Sequence, residues 1–451
     1  MFSNKDLSRL ILPLIVEQFL AVTIGMADTV MVSSVGETAM SGVSIVDTIN
    51  ILLINIFAAL ATGGAIVTSQ YLGRGERKNA NAAARQLVFS TAFLSLVIMT
   101  LCLVFRRQML YGIFGHAEQA VMANALVYFL VTALSYPFIA VYNAGAALFR
   151  SMGNSRVSML TSIVMNAVNI IGNAVCIYGL KMGVLGAALP TLLSRITGAV
   201  LIMFLLRDNR HPIFITQLTH IRPDWSMIKR ILGIGIPNGL ENGMFQIGKI
   251  MVQSLVTSFG TVAVAANAVA NSVGGIPQIP AVAIGLAMVT VVGQCVGAGD
   301  YDAARRYIIR LSKYSYLSMF LTNLPFVLAL TPIIGCFNLH PETAEVARQV
   351  LLSNSACMIF IWVPSFTLPN GLRAANDVKY TMTMSVLSMW IFRVGFSYIL
   401  GKYLGLGLLG AWCGMYIDWF ARAVAFILRF FSGKWKSKQL LPDTAGTAAG
   451  K

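Results

Sequence analysis

Residues 10–32 read LILPLIVEQFLAVTIGMADTVMV, an apolar run long enough for a helix to cross a lipid bilayer. Two acidic residues, Glu17 and Asp28, interrupt this run. Their spacing is close to three helical turns, so both carboxylates are expected on one helix face, about 16 Å apart along the axis. Carboxylates inside membrane segments usually face a bundle interior or an aqueous cavity, where they mark ion or substrate pathways. The alternative interpretation of each acid is packing against a neighbouring helix.

The composition of the whole chain is that of a membrane protein. Of its 451 residues, 57% are hydrophobic and only 11% are charged, which is more apolar surface than a soluble domain buries. The formal net charge is +16, and basic residues concentrate in alternate loops, for example at 74–85, 207–230 and 434–438. This asymmetry is typical of cytoplasmic loops. It predicts a multi-pass protein of the plasma (inner) membrane with both termini in the cytoplasm, and it explains the charge without nucleic acid.

Hydrophobic runs predict an all-α polytopic membrane protein with twelve transmembrane helices in two pseudo-symmetric six-helix bundles. We expect an N-terminal lobe at residues 1–215, a C-terminal lobe at 216–435 and a disordered cytoplasmic tail at 436–451. The expected spans are 10–32, 43–70, 87–105, 121–148, 157–180, 184–206, 231–256, 263–293, 314–334, 346–371, 380–401 and 404–431.

An internal repeat supports the two-bundle organisation. One fixed shift of the chain, applied without gaps, superposes unlike residue types, which chance matching of apolar runs does not explain. The matched pairs of this repeat register include Pro13 with Pro237, Glu17 with Glu241, Gln70 with Gln294, Gly73 with Gly297 and Gly75 with Gly299. Because both copies start in the cytoplasm, they are parallel repeats of the kind that enclose a central cavity in secondary transporters.

Polar residues inside the predicted spans are the candidates for transport. Asn169 and Asn173 lie one helical turn apart, so together with Asp28 they are able to supply oxygens to a small cation or a proton relay. Amides also serve as plain interhelical contacts. Weaker candidates for a substrate cavity or gate are Glu17, Asp47, Asn50, Glu241, Lys249 and Asp418, and helix-interrupting residues that are hinge candidates are Pro137, Pro277, Pro280 and Pro364.

Several of these residues have a structural alternative. Asp418 and Arg422 are spaced for an internal salt bridge, which is the favoured interpretation of both. Arg195 and Arg393 are expected to snorkel or to pair with an acid. The proline-containing interruptions equally fit fixed kinks that serve helix packing.

Motifs for nucleotide binding and catalysis give no support to an enzyme. Residues 243–250 approach a phosphate-loop pattern, but they lie inside a hydrophobic helix whose backbone amides are already hydrogen-bonded. The sequence has no Gly-x-Ser-x-Gly and no His-Glu-x-x-His. We therefore expect a protein that is not an enzyme and needs no cofactor.

The ordered set of motifs carries a family resemblance. Asp28 in the segment MADTVMV after Pro13, the two Gln-x-x-Gly-x-Gly turns at 70–75 and 294–299, and the segment RSMGNSR at 150–156 together resemble the multidrug and toxic compound extrusion (MATE) family. The similarity covers about residues 7–431. It implies a polyspecific exporter of cationic or amphipathic organic compounds and drugs, driven by inward H⁺ or Na⁺ flow through rocking of two lobes.

The resemblance also assigns residues. Asp28 matches the aspartate of the family's first helix, and Asn169 with Asn173 matches its fifth-helix pattern Asn-x-x-x-Asp, except that the final acid is Asn173 here. Asp28 is then the only clear carboxylate of the site, which leaves H⁺ and Na⁺ open as the coupling ion; no metal is expected beyond a possible Na⁺ at Asp28. We expect a monomer in the lipid bilayer that acts on small organic cations or drugs.

One other transport function stays open at this point. A flippase for a lipid-linked precursor would share the two-lobed architecture by analogy of fold. It would need a cationic cavity for pyrophosphate, for which Arg195, Arg393 and Lys249 are the available residues.

Overall fold

The structure is a computed structural model, and it describes residues 2–115, 117–216, 222–438 and 440–441. Every regular element in these ranges is a helix, so the predicted all-α architecture is confirmed. Most of the predicted tail, residues 442–451, lies outside the described residues. Near the start of that tail, Lys436 Nζ donates to Asp302 Oδ1 at 2.9 Å.

The first half of the described chain contains eight α-helices, and a π-helical segment (Ala174–Gly179) continues the seventh. The helices are α1 (Asn4–Ser33), α2 (Glu37–Gly73), α3 (Arg77–Val104), α4 (Arg106–Phe114), α5 (Gln119–Leu134), α6 (Tyr136–Ser151), α7 (Ser155–Asn173) and α8 (Leu185–Leu205).

The second half of the described chain contains nine α-helices and more interruptions. The helices are α9 (Trp225–Thr257), α10 (Thr261–Val273), α11 (Ile279–Gly297), α12 (Tyr301–Leu328), α13 (Leu330–Gly335), α14 (Pro341–Cys357), α15 (Leu368–Ala374), α16 (Val378–Ser388) and α17 (Gly407–Phe431). The π-helical segments are Met358–Thr367, Met389–Gly395 and Ser397–Tyr403, and 3₁₀ turns occupy Ile276–Gln278 and Lys434–Ser437.

When helices are joined across their interruptions, the longer ones form twelve rods, which correspond to the twelve predicted spans. Nine helices of the described residues are long and apolar enough to cross a membrane, and ten are when the bent pair α5–α6 is counted as one span. The other two rods are α9 and α12, which are long enough at 33 and 28 residues but less apolar. Large apolar side chains such as Leu12, Phe19 and Val30 are more than half exposed, as expected for a surface that faces lipid.

The recurring glycines have a backbone reason. Gly75 and Gly299, the last residues of the two Gln-x-x-Gly-x-Gly turns, have φ of +77° and +75°. This left-handed conformation is accessible to glycine at little cost. The repeat therefore preserves the same chain reversal after α2 and after α11.

The four predicted hinge prolines lie at interruptions of helices. Pro137 follows the break between α5 and α6, which meet at 45°. Pro277 lies in the 3₁₀ turn before α11, Pro280 at the start of α11, and Pro364 inside the π-helical segment 358–367. Neighbouring side chains satisfy the opened backbone, since the Thr322 hydroxyl donates to the Pro277 carbonyl at 2.7 Å. Movement at these positions stays a prediction.

Packing divides the chain into two compact units, Met1–Gly239 and Leu240–Lys451. The division falls within α9, whereas the sequence-based lobe boundary at 215/216 lies in the preceding polar segment. The reason is that the first part of α9 packs on α2: a Cβ on Gly63 would lie 2.7 Å from the Ile231 carbonyl oxygen, and Arg230 donates to the Tyr71 hydroxyl at 2.8 Å.

Candidate functional site

The first unit contains a cavity of about 170 Å³ with charged walls. Helices α1, α2, α5, α7 and α8 supply its lining. The residues that matter for its chemistry are Gly25, Asp28, Asp47, Tyr128, Asn173 and Arg195. The structure thus brings two of the three predicted cation-site residues, Asp28 and Asn173, to one cavity.

A chain of side-chain hydrogen bonds links α1, α7 and α8 beside the cavity. Asn173 Nδ2 donates to Asp28 Oδ1 at 2.7 Å and to Asn169 Oδ1 at 3.3 Å. Asn169 Nδ2 in turn donates to Thr191 Oγ1 at 3.2 Å. Asn169, the third predicted residue, therefore supports Asn173 from behind and is not among the lining residues.

Close helix packing makes this chain of contacts possible. A Cβ on Gly172 would lie 2.7 Å from the Pro190 side chain, so glycine lets α7 approach α8 at the level of Asn173. On the other side, the Ser155 hydroxyl donates to the Leu10 carbonyl at 2.6 Å. These contacts hold α7 between α1 and α8, which fixes the amides relative to Asp28.

A second group of polar residues reaches the cavity from α2 and α5. Asn50 Nδ2 donates to Asp47 Oδ1 at 3.1 Å, and the Tyr128 hydroxyl lies 3.5 Å from the same oxygen. The Tyr136 hydroxyl donates to Asn50 Oδ1 at 2.7 Å. Asn50, which the sequence proposed for the cavity, is buried and orients Asp47 without lining the cavity itself.

Asp47 corrects the expectation that Asp28 is the only clear carboxylate of this site. Both acids line the cavity, and the sequence could not show this because it does not reveal which faces of α1 and α2 meet. Arg195 does not form the ion pair that was one of its two expected arrangements, since no carboxylate lies within 4.0 Å of its side chain in the described part of the chain; snorkelling stays a prediction. Arg195 lines the same cavity and donates to the Ser135 hydroxyl at 2.6 Å. Two carboxylates and one guanidinium leave the lining with a net formal charge of −1.

One oxygen of the lining has no hydrogen-bond partner among the described residues. Asn173 is 1% exposed, and its Oδ1 is buried without a donor. A flipped amide is not favoured, because both neighbours of Nδ2 are acceptor oxygens. A buried acceptor without a partner is costly, and a cation or a proton donor is the kind of group that would satisfy it.

The repeat-related acids Glu17 and Glu241 are both in ion pairs. Glu17 lies 3.5 Å from Arg150 and accepts from the Ser158 hydroxyl at 2.8 Å, and Glu241 lies 2.6 Å from Arg373. All four charged side chains are at most 19% exposed. The duplication has therefore built the same contact twice, and it gives both acids a structural partner; a role at an inner gate stays a hypothesis.

In the second unit, the remaining candidates gather around Phe245. Lys249 lies over this ring, and Asp418 forms the expected salt bridge with Arg422 at 2.9 Å. Arg393 corrects the expectation of snorkelling or pairing, because it is 8% exposed and its guanidinium packs over Phe245 without a carboxylate within 4.0 Å in the described residues. Among the described residues, no group of three His, Cys, Asp or Glu side chains is arranged for a metal ion.

Comparison with known proteins identifies the class. The family model MatE matches residues 13–175 and 237–399. These two segments begin at Pro13 and Pro237, which the sequence repeat aligns with each other. The chain therefore belongs to the MATE family of multidrug transporters, and the resemblance seen in its motifs is confirmed.

Relatives of this family match the chain over nearly its whole length. It is 28% identical over 445 residues to the "Probable multidrug resistance protein NorM" of Thermotoga maritima, with 97% of this chain and 94% of that protein covered. It is 26% identical over 436 residues to the "Uncharacterized transporter YisQ" of Bacillus subtilis, with 94% of each covered.

Solved structures agree in fold. One described as the outward-facing conformation of a multidrug resistance MATE family transporter superposes with a TM-score of 0.88 at 21% identity, covering 95% of each chain. The protein is thus a multi-pass membrane transporter, and a lipid-linked-precursor flippase is not favoured.

Proposed function

We propose that the protein is an antiporter that exports cationic or amphipathic organic compounds against an inward flow of H⁺ or Na⁺. The coupling ion binds in the cavity of the first unit, at Asp28. The observation that supports this most directly is the buried Asn173 oxygen without a partner, which lies in a wall that already carries the carboxylates of Asp28 and Asp47.

The size of the cavity suits an ion better than a drug. Pockets for drug-sized ligands measure about 300–1,000 Å³, whereas this cavity measures about 170 Å³. At about 30 Å³ per water molecule, that space holds roughly five waters. A hydrated Na⁺, or a proton on Asp28 together with ordered water, fits this volume.

The small size of the cavity also determines when drug and ion can compete for it. An organic cation and the coupling ion share the charge of Asp28 and Asp47 only when the cavity widens during the transport cycle. Ion binding then lowers the affinity for drug, and drug binding lowers the affinity for the ion by the same factor, because the coupling is reciprocal. Movement of the two repeats that alternately exposes the cavity, as the family resemblance implies, supplies this change.

Transport by purified protein in proteoliposomes tests the proposal. Efflux of a fluorescent organic cation is followed under an imposed pH gradient and under an imposed Na⁺ gradient, each alone. We expect one gradient to drive efflux, and Asp28→Asn to abolish it while the protein still folds and inserts. Efflux by Asp28→Asn at the wild-type rate would remove this cavity from the mechanism.

A matched control distinguishes the effect of removing a carboxylate of the cavity from the effect of removing any carboxylate. Asp47→Asn removes the second acid of the lining, and Glu37→Gln removes an exposed acid at the start of the same helix. We expect Asp47→Asn to weaken coupling and Glu37→Gln to transport normally.

The cellular arrangement follows the charge distribution. We infer a monomer in the plasma membrane with both termini cytoplasmic, since the basic loops fall on the side of the termini. Light scattering of the purified protein measures the oligomeric state, and labelling of a cysteine introduced at the exposed Lys5 in intact cells measures the side of the N-terminus.

A further inference from the structure

Three cationic side chains surround one aromatic ring in the second unit. The charged groups of Lys249, Arg393 and Arg422 lie 5.4, 5.0 and 5.4 Å from the centre of the Phe245 ring. Helices α9 and α17 and the π-helical segment 389–395 bring them together. We call these four residues and Asp418 the Phe245 cluster.

Only one of the three cations has a carboxylate partner. Asp418 is fully buried and binds Arg422 at 2.9 Å and the Ser388 hydroxyl at 2.6 Å. In the described parts of the chain, no carboxylate lies within 4.0 Å of Lys249 or Arg393. Helix α9, which carries Lys249, has a single acidic residue, Glu241, and that residue is in its own ion pair with Arg373. The cluster therefore has a net formal charge of +2.

Hydrogen-bond donors near the cluster are also left without acceptors. Arg393 Nε is buried with no partner among the described residues, and its Nη2 reaches only the Met415 sulfur, at 3.1 Å. The indole N–H of Trp419 is likewise buried without a partner; its ring contacts Phe366, over which Arg422 lies at 5.5 Å. Asp418 Oδ2 is also buried without a donor among the described residues, so the region holds unpaired donors beside one unpaired carboxylate oxygen.

The aromatic ring does not balance these charges by itself. A cation over an aromatic face gains less free energy than removing an ion from water without a counter-charge costs. An anion beside Lys249 and Arg393 would supply the missing counter-charge and accept the free N–H groups. Arg393 is the buried cation without a counter-charge, and Lys249, an exposed residue, places its ammonium group beside the same ring.

In the internal repeat, two residues of this cluster correspond to positions in or beside the first cavity. In the repeat register that aligns Pro13 with Pro237, Lys249 corresponds to Gly25 and Arg393 to Asn169. The contact made by Asn169 recurs as well, because Asn169 reaches Thr191 at 3.2 Å and Arg393 reaches Met415, the counterpart of Thr191, at 3.1 Å.

The charged residues of the first cavity have neutral counterparts. In the second unit, Asp28 is replaced by Val252, Asp47 by Asn271 and Arg195 by Trp419. The same scaffold thus carries excess negative charge in the first unit and excess positive charge in the second.

We propose that the Phe245 cluster is a binding site for the carboxylate group of a small aromatic or amphipathic organic compound. The planar guanidinium of Arg393 matches a carboxylate in a two-pronged geometry, and Lys249 adds a second charge. Phe245 lies beside both cations, so the apolar part of the compound would border its ring. This site is separate from the cation site at Asp28 and does not depend on the proposed coupling.

Calorimetric titration of the full-length protein in detergent, with salicylate as the probe, tests this site. Salicylamide has the same ring without the charge. We expect the wild type to bind salicylate and to bind salicylamide at least tenfold more weakly. Lys249→Gln and Arg393→Gln should each weaken salicylate binding at least tenfold, and Lys249→Arg should retain it.

Two variants complete the design. Lys402→Gln removes an exposed cation from the same rod as Arg393 and should leave salicylate affinity unchanged. Asp28→Asn should also leave it unchanged, which distinguishes this site from the proposed ion site. Equal affinity for salicylate and salicylamide, or normal salicylate binding by folded Lys249→Gln, would overturn the proposal.

Discussion

Filling the cavity of the first unit from Gly25 tests whether ion binding needs its open volume. A Cβ built on Gly25 meets no atom within 4 Å, and the residue lines the cavity. Leucine adds four carbon groups; if each takes about the 30 Å³ of a water molecule, the open volume falls to space for roughly one or two waters. Leucine is also a better helix former than glycine by somewhat less than about 1 kcal/mol, so Gly25→Leu should not destabilise α1.

The expected result is a stable protein that has lost coupling. Gly25→Leu should reduce gradient-driven efflux in proteoliposomes at least tenfold, while thermal unfolding in detergent occurs at the same or a slightly higher temperature. Gly25→Ala removes about one water-sized volume and should have an intermediate effect. The control is Gly112→Leu, since Gly112 is an exposed helical glycine of the same unit with open space around it and is not a lining residue.

The refuting result follows from the same design. If Gly25→Leu folds and transports like Gly112→Leu under the gradient that drives the wild type, the ion does not use this cavity. A loss of transport in both variants would instead show that added apolar bulk disturbs the helices in general, and the argument from cavity volume would fail.

Three further predictions concern contacts within each of the two units. Glu241→Gln should destabilise the protein by about 3–5 kcal/mol, because it leaves Arg373 buried without its counter-charge; unfolding in denaturant measures this, and Glu241→Gln with Arg373→Gln should recover part of the loss. Asn173→Ala removes Oδ1, which is unpaired among the described residues and whose contact with a charged group is worth about 1.5–3 kcal/mol, and should weaken Na⁺ binding about 10- to 100-fold in Na⁺ titrations, with the fold retained. Gly410→Leu should impair folding, since a Cβ there would lie 2.6 Å from the backbone carbonyl carbon of Leu400; normal expression and unfolding temperature would contradict the close packing of these helices.

The architecture was accessible from sequence because hydrophobic spans and repeated glycines report on local structure. The length of each apolar run sets the helices, and Gly75 with Gly299 marks turns that need positive φ. The pairing of Asp28 with Asn173 was also within reach, since the two residue types and their spans suggest a shared polar face. Their use for ion coupling remains a prediction.

The remaining features of the site depend on contacts between distant parts of the chain. Glu17 appears in the sequence as a lone acid in a membrane span, but its partner Arg150 lies 133 residues away. Asp47 reaches the cavity because α2 packs closely on α5, where a Cβ on Gly42 would lie 2.9 Å from the Val121 carbonyl oxygen. No pattern along the chain signals either approach, so the sequence named Asp47 only as a weaker candidate for a substrate cavity or gate and did not place it beside Asp28.

A change of register between the repeats explains how Arg393 comes to lie in the positive cluster. Arg373 makes the same contact as Arg150, yet the repeat register aligns Arg373 with Phe149, one position earlier. The contacts of Asn169 and Arg393, by comparison, recur in that register without an offset. The second repeat therefore holds one extra residue between Arg373 and Arg393.

The π-helical segment Met389–Gly395 lies at this point, where the first repeat has an α-helix. A π-helical turn is the usual way to accommodate one extra residue in a helix. Without it, the residue opposite Asn169 would be Phe392, because one position turns the side chain by about 100° at 3.6 residues per turn. The inserted residue therefore presents the Arg393 guanidinium, in place of an apolar ring, on the face that carries an amide in the first unit.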